Sequence, residues 1–171
     1  NIEDKFAATD PFGHAVRFVA PVVLLAFGTG TGSYLKLEWL LRIAIASTFI
    51  GHGLAAYWLK PGFVDLIVGT IDTFLGSDWR LAEEREKFAL ILLPWIGRID
   101  FLLAALILIP FKRLRTVALW MAIWGFVTAV SRVTAFGWER WPDLMIRAAN
   151  GGIPLLLWIE MKHTLTRSKT L

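Results

Sequence analysis

Leu41-Arg-Ile-Ala-Ile-Ala-Ser-Thr-Phe-Ile-Gly-His-Gly-Leu54 decides how this chain is read. It belongs to a nearly unbroken apolar segment from Trp39 to Leu59. At about 1.5 Å per residue, a helix of that length crosses the hydrocarbon core of a bilayer. One histidine, His52, stands between Gly51 and Gly53, and one arginine, Arg42, stands near the start. A titratable side chain in the middle of a membrane helix is costly unless it is paired or used. The rest of the sequence is therefore searched for groups that could meet His52.

The whole chain agrees with a membrane setting. Of its 171 residues, 56% are hydrophobic and 19% charged, and the mean hydropathy is +0.58. Apolar residues come in long blocks, without the short helical or strand period of a soluble domain. One membrane domain fits the length. With no cysteine, disulfides and thiolate-held metal or iron–sulfur centres are excluded. The net charge of +4 sits in short loops and the tail, as the positive-inside rule predicts, and argues against a nucleic-acid partner. Nine tryptophans and twelve phenylalanines suit interfacial belts and lipid-facing surface.

From Trp39–Leu59, stopped by Lys60-Pro61-Gly62, the reading extends in both directions. Residues 1–14 read as a polar extramembrane tail. Val16–Phe27 is apolar but short, carries Arg17 and Pro21, and precedes a glycine-rich break over residues 28–33. It reads as an interfacial or re-entrant segment. Phe63–Leu75 places Phe63, Leu66, Ile67, Ile71, Phe74 and Leu75 on one helical face, with Asp65 and Asp72 off it. That pattern predicts an amphipathic helix on the membrane surface or capping the bundle. Ser77 or Asp78 is placed to N-cap a short helix leading into the next span.

Three more spans follow, at about 88–109, 116–136 and 144–161, joined by short turns that make neighbours antiparallel. The expected fold is all-α, an integral membrane four-helix bundle. The N-terminal tail, the Lys112–Arg115 turn and the C-terminal tail are expected on one side. The lysine and arginine bias makes that side cytoplasmic in a bacterial or archaeal membrane.

Depth counting then brings polar residues together. His52, Arg98, Asp100, Arg132, Arg147 and Asn150 fall in the middle, or in the same half, of their spans. These six should face one another or a wet cavity, because each isolated charge facing lipid costs roughly 2.5–3.5 kcal/mol. His52, Arg98, Asp100, Arg132 and Asn150 are the candidates for ligand binding or proton relay. Arg98 and Asp100 lie two apart, roughly 200° around the helix axis, so they cannot share a face. Trp124, Thr128 and Arg132 do share one. Arginine surplus over aspartate suits an anionic or carbonyl-bearing ligand, since the guanidinium is a forked donor. Arg42 and Glu160 meet at the opposite depth as a candidate structural ion pair.

Plainer roles compete for the same residues. His52 between glycines fits a helix–helix hydrogen bond where small residues allow close approach. Arg132 and Arg147 fit snorkelling. Haem is disfavoured, because His14 and His163 lie outside the spans and bis-histidine ligation needs two intramembrane histidines. No metal-ligand cluster, phosphate loop or nucleophile elbow is present in the sequence.

The run from Arg42 to Leu54 with His52-Gly53, followed by Lys60-Pro61-Gly62-Phe63, resembles the DoxX/DoxD-like group of small four-helix membrane proteins. Gly97-Arg98-Ile99-Asp100 loosely resembles the start of that group's second span. The resemblance covers residues 39–136 and reaches the last span weakly. It implies a link to quinone-coupled respiratory chemistry, and equally allows an accessory role. The expected function is a small subunit or accessory protein of a respiratory or other redox membrane complex, contacting quinone through an intramembrane polar pocket. It is expected to serve as an accessory rather than a stand-alone enzyme, with no covalently bound cofactor. Its partners would be membrane lipids and other membrane subunits. The alternative is a non-catalytic structural or assembly subunit whose polar residues are internal glue.

Overall fold

The computed structural model describes residues 2–29, 34–111 and 114–167. Its elements are seven α-helices: α1 (Ile2–Gly13), α2 (Ala15–Thr29), α3 (Tyr34–Tyr57), α4 (Pro61–Leu75), α5 (Ala82–Ile107), α6 (Arg115–Phe136) and α7 (Trp141–Arg167). A single 3₁₀ turn, Trp138–Arg140, links the last two. No strand occurs among the described residues. The expected glycine-rich break lies partly, at residues 30–33, outside the described residues. So do Lys112 and Arg113 of the basic turn and the tail from residue 168.

Among the described residues, three helices are long and apolar enough to cross a membrane: Lys36–Tyr57 within α3, then α5, then α6. The expected fourth span, α7, is a 27-residue helix that carries Arg147 and Asn150 and is not among these three. Outward faces carry apolar residues at helical spacing. Ile91, Trp95, Ile99 and Leu102 line α5, and Trp120, Ile123, Val127 and Val130 line α6, all more than a third exposed. Water-soluble monomers rarely leave apolar patches of this extent uncovered.

Buried residues from α2, α3, α5, α6 and α7 form the main core, with Val23, Ile45, Ile107, Met121 and Leu157 fully enclosed. A second cluster, Ala56, Val64, Ala89 and Leu93, lies where α4 meets α3 and α5. Glycines set the tightest crossings. A Cβ at Gly51 would lie 2.3 Å from the Gly13 nitrogen, and one at Gly97 would lie 2.7 Å from the Gly53 carbonyl oxygen. The two glycines beside His52 therefore hold α3 against two different neighbours, as small residues do in membrane bundles.

Several expectations change here. The tail over residues 1–14 is mostly helix. It packs at the Lys60 end of α3, where Lys60 pairs with Asp10 at 2.9 Å and lies over the Phe6 ring. The other end of α3 meets α7, with Met161 beside Arg42. The N-terminal segment and the end of α7 thus stand at opposite ends of the bundle, not at one end. The reason is α2. It is a fifteen-residue helix alongside α3, with the Val16 amide donating to Thr48 Oγ1 at 3.1 Å. Its Phe18, Val22 and Leu25 point outward.

The N-cap expected at Ser77 or Asp78 is also absent. Leu81 precedes α5 without a side-chain cap, and the helix runs unbroken through Pro94. The expected stop at Lys60-Pro61-Gly62 does end α3, and Pro61 opens α4, where its missing N–H is harmless. Gly76 and Gly137, with φ of 83° and 88°, follow α4 and α6 in a region that favours glycine.

Candidate functional site

A cavity of about 320 Å³ lies between α3, α4, α5, α6 and α7. Helical periodicity builds each wall. α3 offers Thr48, His52 and Ala56, and α5 offers Phe88, Leu92, Ile96 and Asp100, each series at intervals of four. α6 offers Trp124, Thr128, Ser131 and Arg132, the stripe seen in the sequence, and α7 adds Arg147 and Asn150. The amphipathic helix α4 turns Phe63, Leu66, Ile67, Thr70 and Ile71 onto the cavity, while Phe74 and Leu75 are exposed. It packs closely on α6, where a Cβ at Gly69 would lie 2.6 Å from the Ala135 carbonyl oxygen. α4 caps the bundle, as its sequence pattern allows.

Four of the five candidate residues line this one space: His52, Asp100, Arg132 and Asn150. Arg98 does not. It is exposed, with its guanidinium 4.7 Å from the Trp95 ring centre and 5.8 Å from that of Tyr57. The 200° separation is resolved with Asp100 inside and Arg98 outside. Arg98 therefore leaves the set of pocket residues, its charge held by aromatic faces.

Asp100 is the most constrained group in the cavity. It is 3% exposed, and its Oδ1 has no hydrogen-bond partner among the described residues. Its polar neighbour is Trp124. No salt bridge joins it to a cation among the described residues. A buried polar oxygen without a partner is uncommon and unfavourable. His52 sits edge-on to Phe63, ring centres 6.2 Å apart, and its other side meets Gly13, where a Cβ would lie 3.3 Å from Cδ2. Asn150 is buried and its Oδ1 accepts from Arg17 Nε at 3.4 Å. Arg132 Nε is also buried without a partner among the described residues.

Arg42 forms a separate structural site at the other end of α3. Its carboxylate is Glu38, one turn earlier, at 2.7 Å, and not Glu160 as the depth count suggested. Arg42 also donates to the carbonyl oxygens of Ile107 at 2.6 Å and Ile109 at 3.1 Å. The first occupies a carbonyl in the last turn of α5, where helical donors run out, and the second joins the Phe111 amide on the Ile109 carbonyl just beyond it.

Arg17 went unnoticed as a site residue because its segment is too short for an ordinary span. The signal was a lone arginine in an apolar run. Thr48 was equally silent, since a threonine in an apolar helix carries no pattern.

The cavity wall is mostly apolar, with polar groups at a few positions on α3, α5, α6 and α7 and one threonine, Thr70, on α4. Phe88 and Val127 both line it and are about half exposed, at 47% and 50%. The cavity thus opens sideways, between α5 and α6, toward the same outward faces that carry Ile91 and Ile123. This geometry suits an amphipathic molecule with a compact polar head and an apolar remainder. The class so defined is an all-helical protein with three candidate membrane spans and a laterally open, polar-tipped cavity. Comparison of the chain with protein-family models, with curated proteins and with solved structures finds no match.

Proposed function

We propose that this chain is a small integral membrane protein, a helical bundle in which α7 completes the three apolar spans, and that its cavity receives the head group of a lipid-soluble quinone. It acts as a subunit or accessory protein of a respiratory or other redox membrane complex. Asp100 carries the reading, because its unpartnered oxygen in an apolar cavity calls for a hydrogen-bonding ligand. His52 and Asp100 then bond the head group or pass protons, and Arg132 stabilises its reduced form. The sideways opening supports entry from the bilayer. The resemblance of residues 42–54 to DoxX/DoxD-like proteins supports the link to quinone.

The lysine and arginine bias supports a cytoplasmic position for the Lys112–Arg115 turn and the end of α7 in a bacterial or archaeal membrane. α1 then lies on the outer side. The test is a titration of the detergent-solubilised protein with short-chain ubiquinone and menaquinone analogues, followed by quenching of tryptophan fluorescence. Saturable quenching that weakens about tenfold in Asp100→Asn or His52→Ala is expected. Unchanged titrations in both variants sink the proposal and favour the alternative, a purely structural subunit.

A further inference from the structure

Arg132 and Arg147 line the cavity on α6 and α7, and Arg17 approaches them from α2. The three meet at the Asn150 wall: Arg17 Nε donates to Asn150 Oδ1 at 3.4 Å, and Asn150 lines the same cavity as Arg132 and Arg147. Asp143 is the carboxylate that opposes this charge. Its Oδ1 faces Arg147 at 3.3 Å and its Oδ2 faces Arg140 at 3.6 Å. Arg17 spends its Nε on Asn150, a neutral acceptor. Arg132 Nε is buried without any acceptor among the described residues. Arg17, Arg132, Arg140 and Arg147 outnumber the two carboxylates here, Asp143 and the cavity's Asp100, and leave a surplus of positive charge at the cavity wall.

We infer that Arg17, Arg132 and Arg147 form an oxyanion subsite that takes a phosphate group, supplied by the head group of an acidic phospholipid or by free phosphate. Three forked donors from three helices suit a tetrahedral anion with several acceptor oxygens better than a planar carbonyl. The apolar cavity beside them suits an acyl chain, and Asp143 already neutralises part of the charge, with one phosphodiester offsetting a further unit of it. This subsite goes beyond the quinone reading, which rests on Asp100 and His52.

The experiment is native mass spectrometry of the whole chain released from mild detergent. Phosphatidylglycerol and phosphatidylcholine of matched acyl chains are added in turn, with and without excess inorganic phosphate. Retention of phosphatidylglycerol at least tenfold above phosphatidylcholine is expected. In Arg17→Gln/Arg147→Gln that preference should disappear, and in Arg98→Gln, an arginine outside the cavity, it should persist. Displacement of the lipid by inorganic phosphate identifies the phosphate group as sufficient, and resistance to displacement assigns the acyl chain a share. Equal retention of the two lipids by the wild type overturns the inference, as does equal loss in Arg98→Gln. If the double variant does not fold, Arg132→Lys, which keeps the charge and removes the fork, should still lower the preference. Asp100→Asn separates the two claims, because it removes the quinone-facing group and no arginine.

Discussion

Replacing Gly125 by alanine should loosen the wall of the cavity that α6 and α7 build together. A Cβ at Gly125 would lie 2.3 Å from the Asn150 carbonyl oxygen, 2.5 Å from its carbonyl carbon and 2.7 Å from the Gly151 nitrogen. All three are backbone atoms, so no side-chain rotation relieves the clash. Restoring ordinary contact at 3.4 Å moves one helix by about 1.1 Å, the difference from 2.3 Å. Overpacking of this kind costs about 1–3 kcal/mol, and an immovable backbone puts it near the top of that range. Alanine's better helix propensity returns about 1 kcal/mol. A net loss of about 2 kcal/mol lowers the melting temperature of a chain this size by ~4–8 °C. Gly152→Ala is the matched control, since a Cβ there meets nothing within 4 Å and gains only the helix propensity. Thermal unfolding in detergent, followed by circular dichroism, should rank Gly152→Ala at or above wild type and Gly125→Ala well below. Equal melting temperatures for the two variants would refute the close-crossing argument.

Two further perturbations separate structural from surface charges. Arg42→Ala removes the cation that pairs with Glu38 and the donor to the Ile107 carbonyl, while the Ile109 carbonyl keeps the Phe111 amide. A loss of about 3–5 kcal/mol is expected, against less than 1 kcal/mol for Arg98→Ala, measured by the same melts. Arg85 is 7% exposed, faces Asp72 at 3.0 Å and donates to the Ser77 carbonyl, tying the end of α4 to the start of α5. Arg85→Gln should speed amide hydrogen exchange over residues 61–81 while α6 and α7 keep their protection. Uniform acceleration along the chain would show that the tie holds the whole bundle, not α4.

Much of the helical architecture is legible because long apolar helices advertise themselves by length and composition. The amphipathic pattern of residues 63–75 also predicts a helix with one apolar face, on the membrane surface or capping the bundle, and the structure turns that face onto the cavity. His52, Asp100, Arg132 and Asn150 could be brought together by depth alone, because antiparallel spans put equal depths side by side. Depth does not report azimuth, which is why Arg98 entered the candidate set and the geometry puts it outside. The same method paired Arg42 with Glu160 and overlooked Glu38, although a Glu–Arg pair four apart on one helix is readable from sequence. Fifteen residues fall short of a bilayer's thickness, so the sequence of α2 points to an interfacial or re-entrant segment and does not show its packing along α3. Its packing depends on the Val16–Thr48 bond, and that of the preceding α1 on the Gly51–Gly13 approach, contacts that no periodicity announces. That gap hid Arg17 and put the N-terminal segment at the wrong end.

The most direct test of the central claim is what the cavity holds when the protein leaves its own membrane. Mass spectrometry of the wild-type protein and of Thr128→Trp, which fills the space beside Asp100, reads this without assuming an activity. A quinone should accompany the wild-type chain in mild detergent and be absent from the filled variant at equal melting temperature. Identical extracts from the two, or none from either after quinone is supplied in excess, would contradict the account.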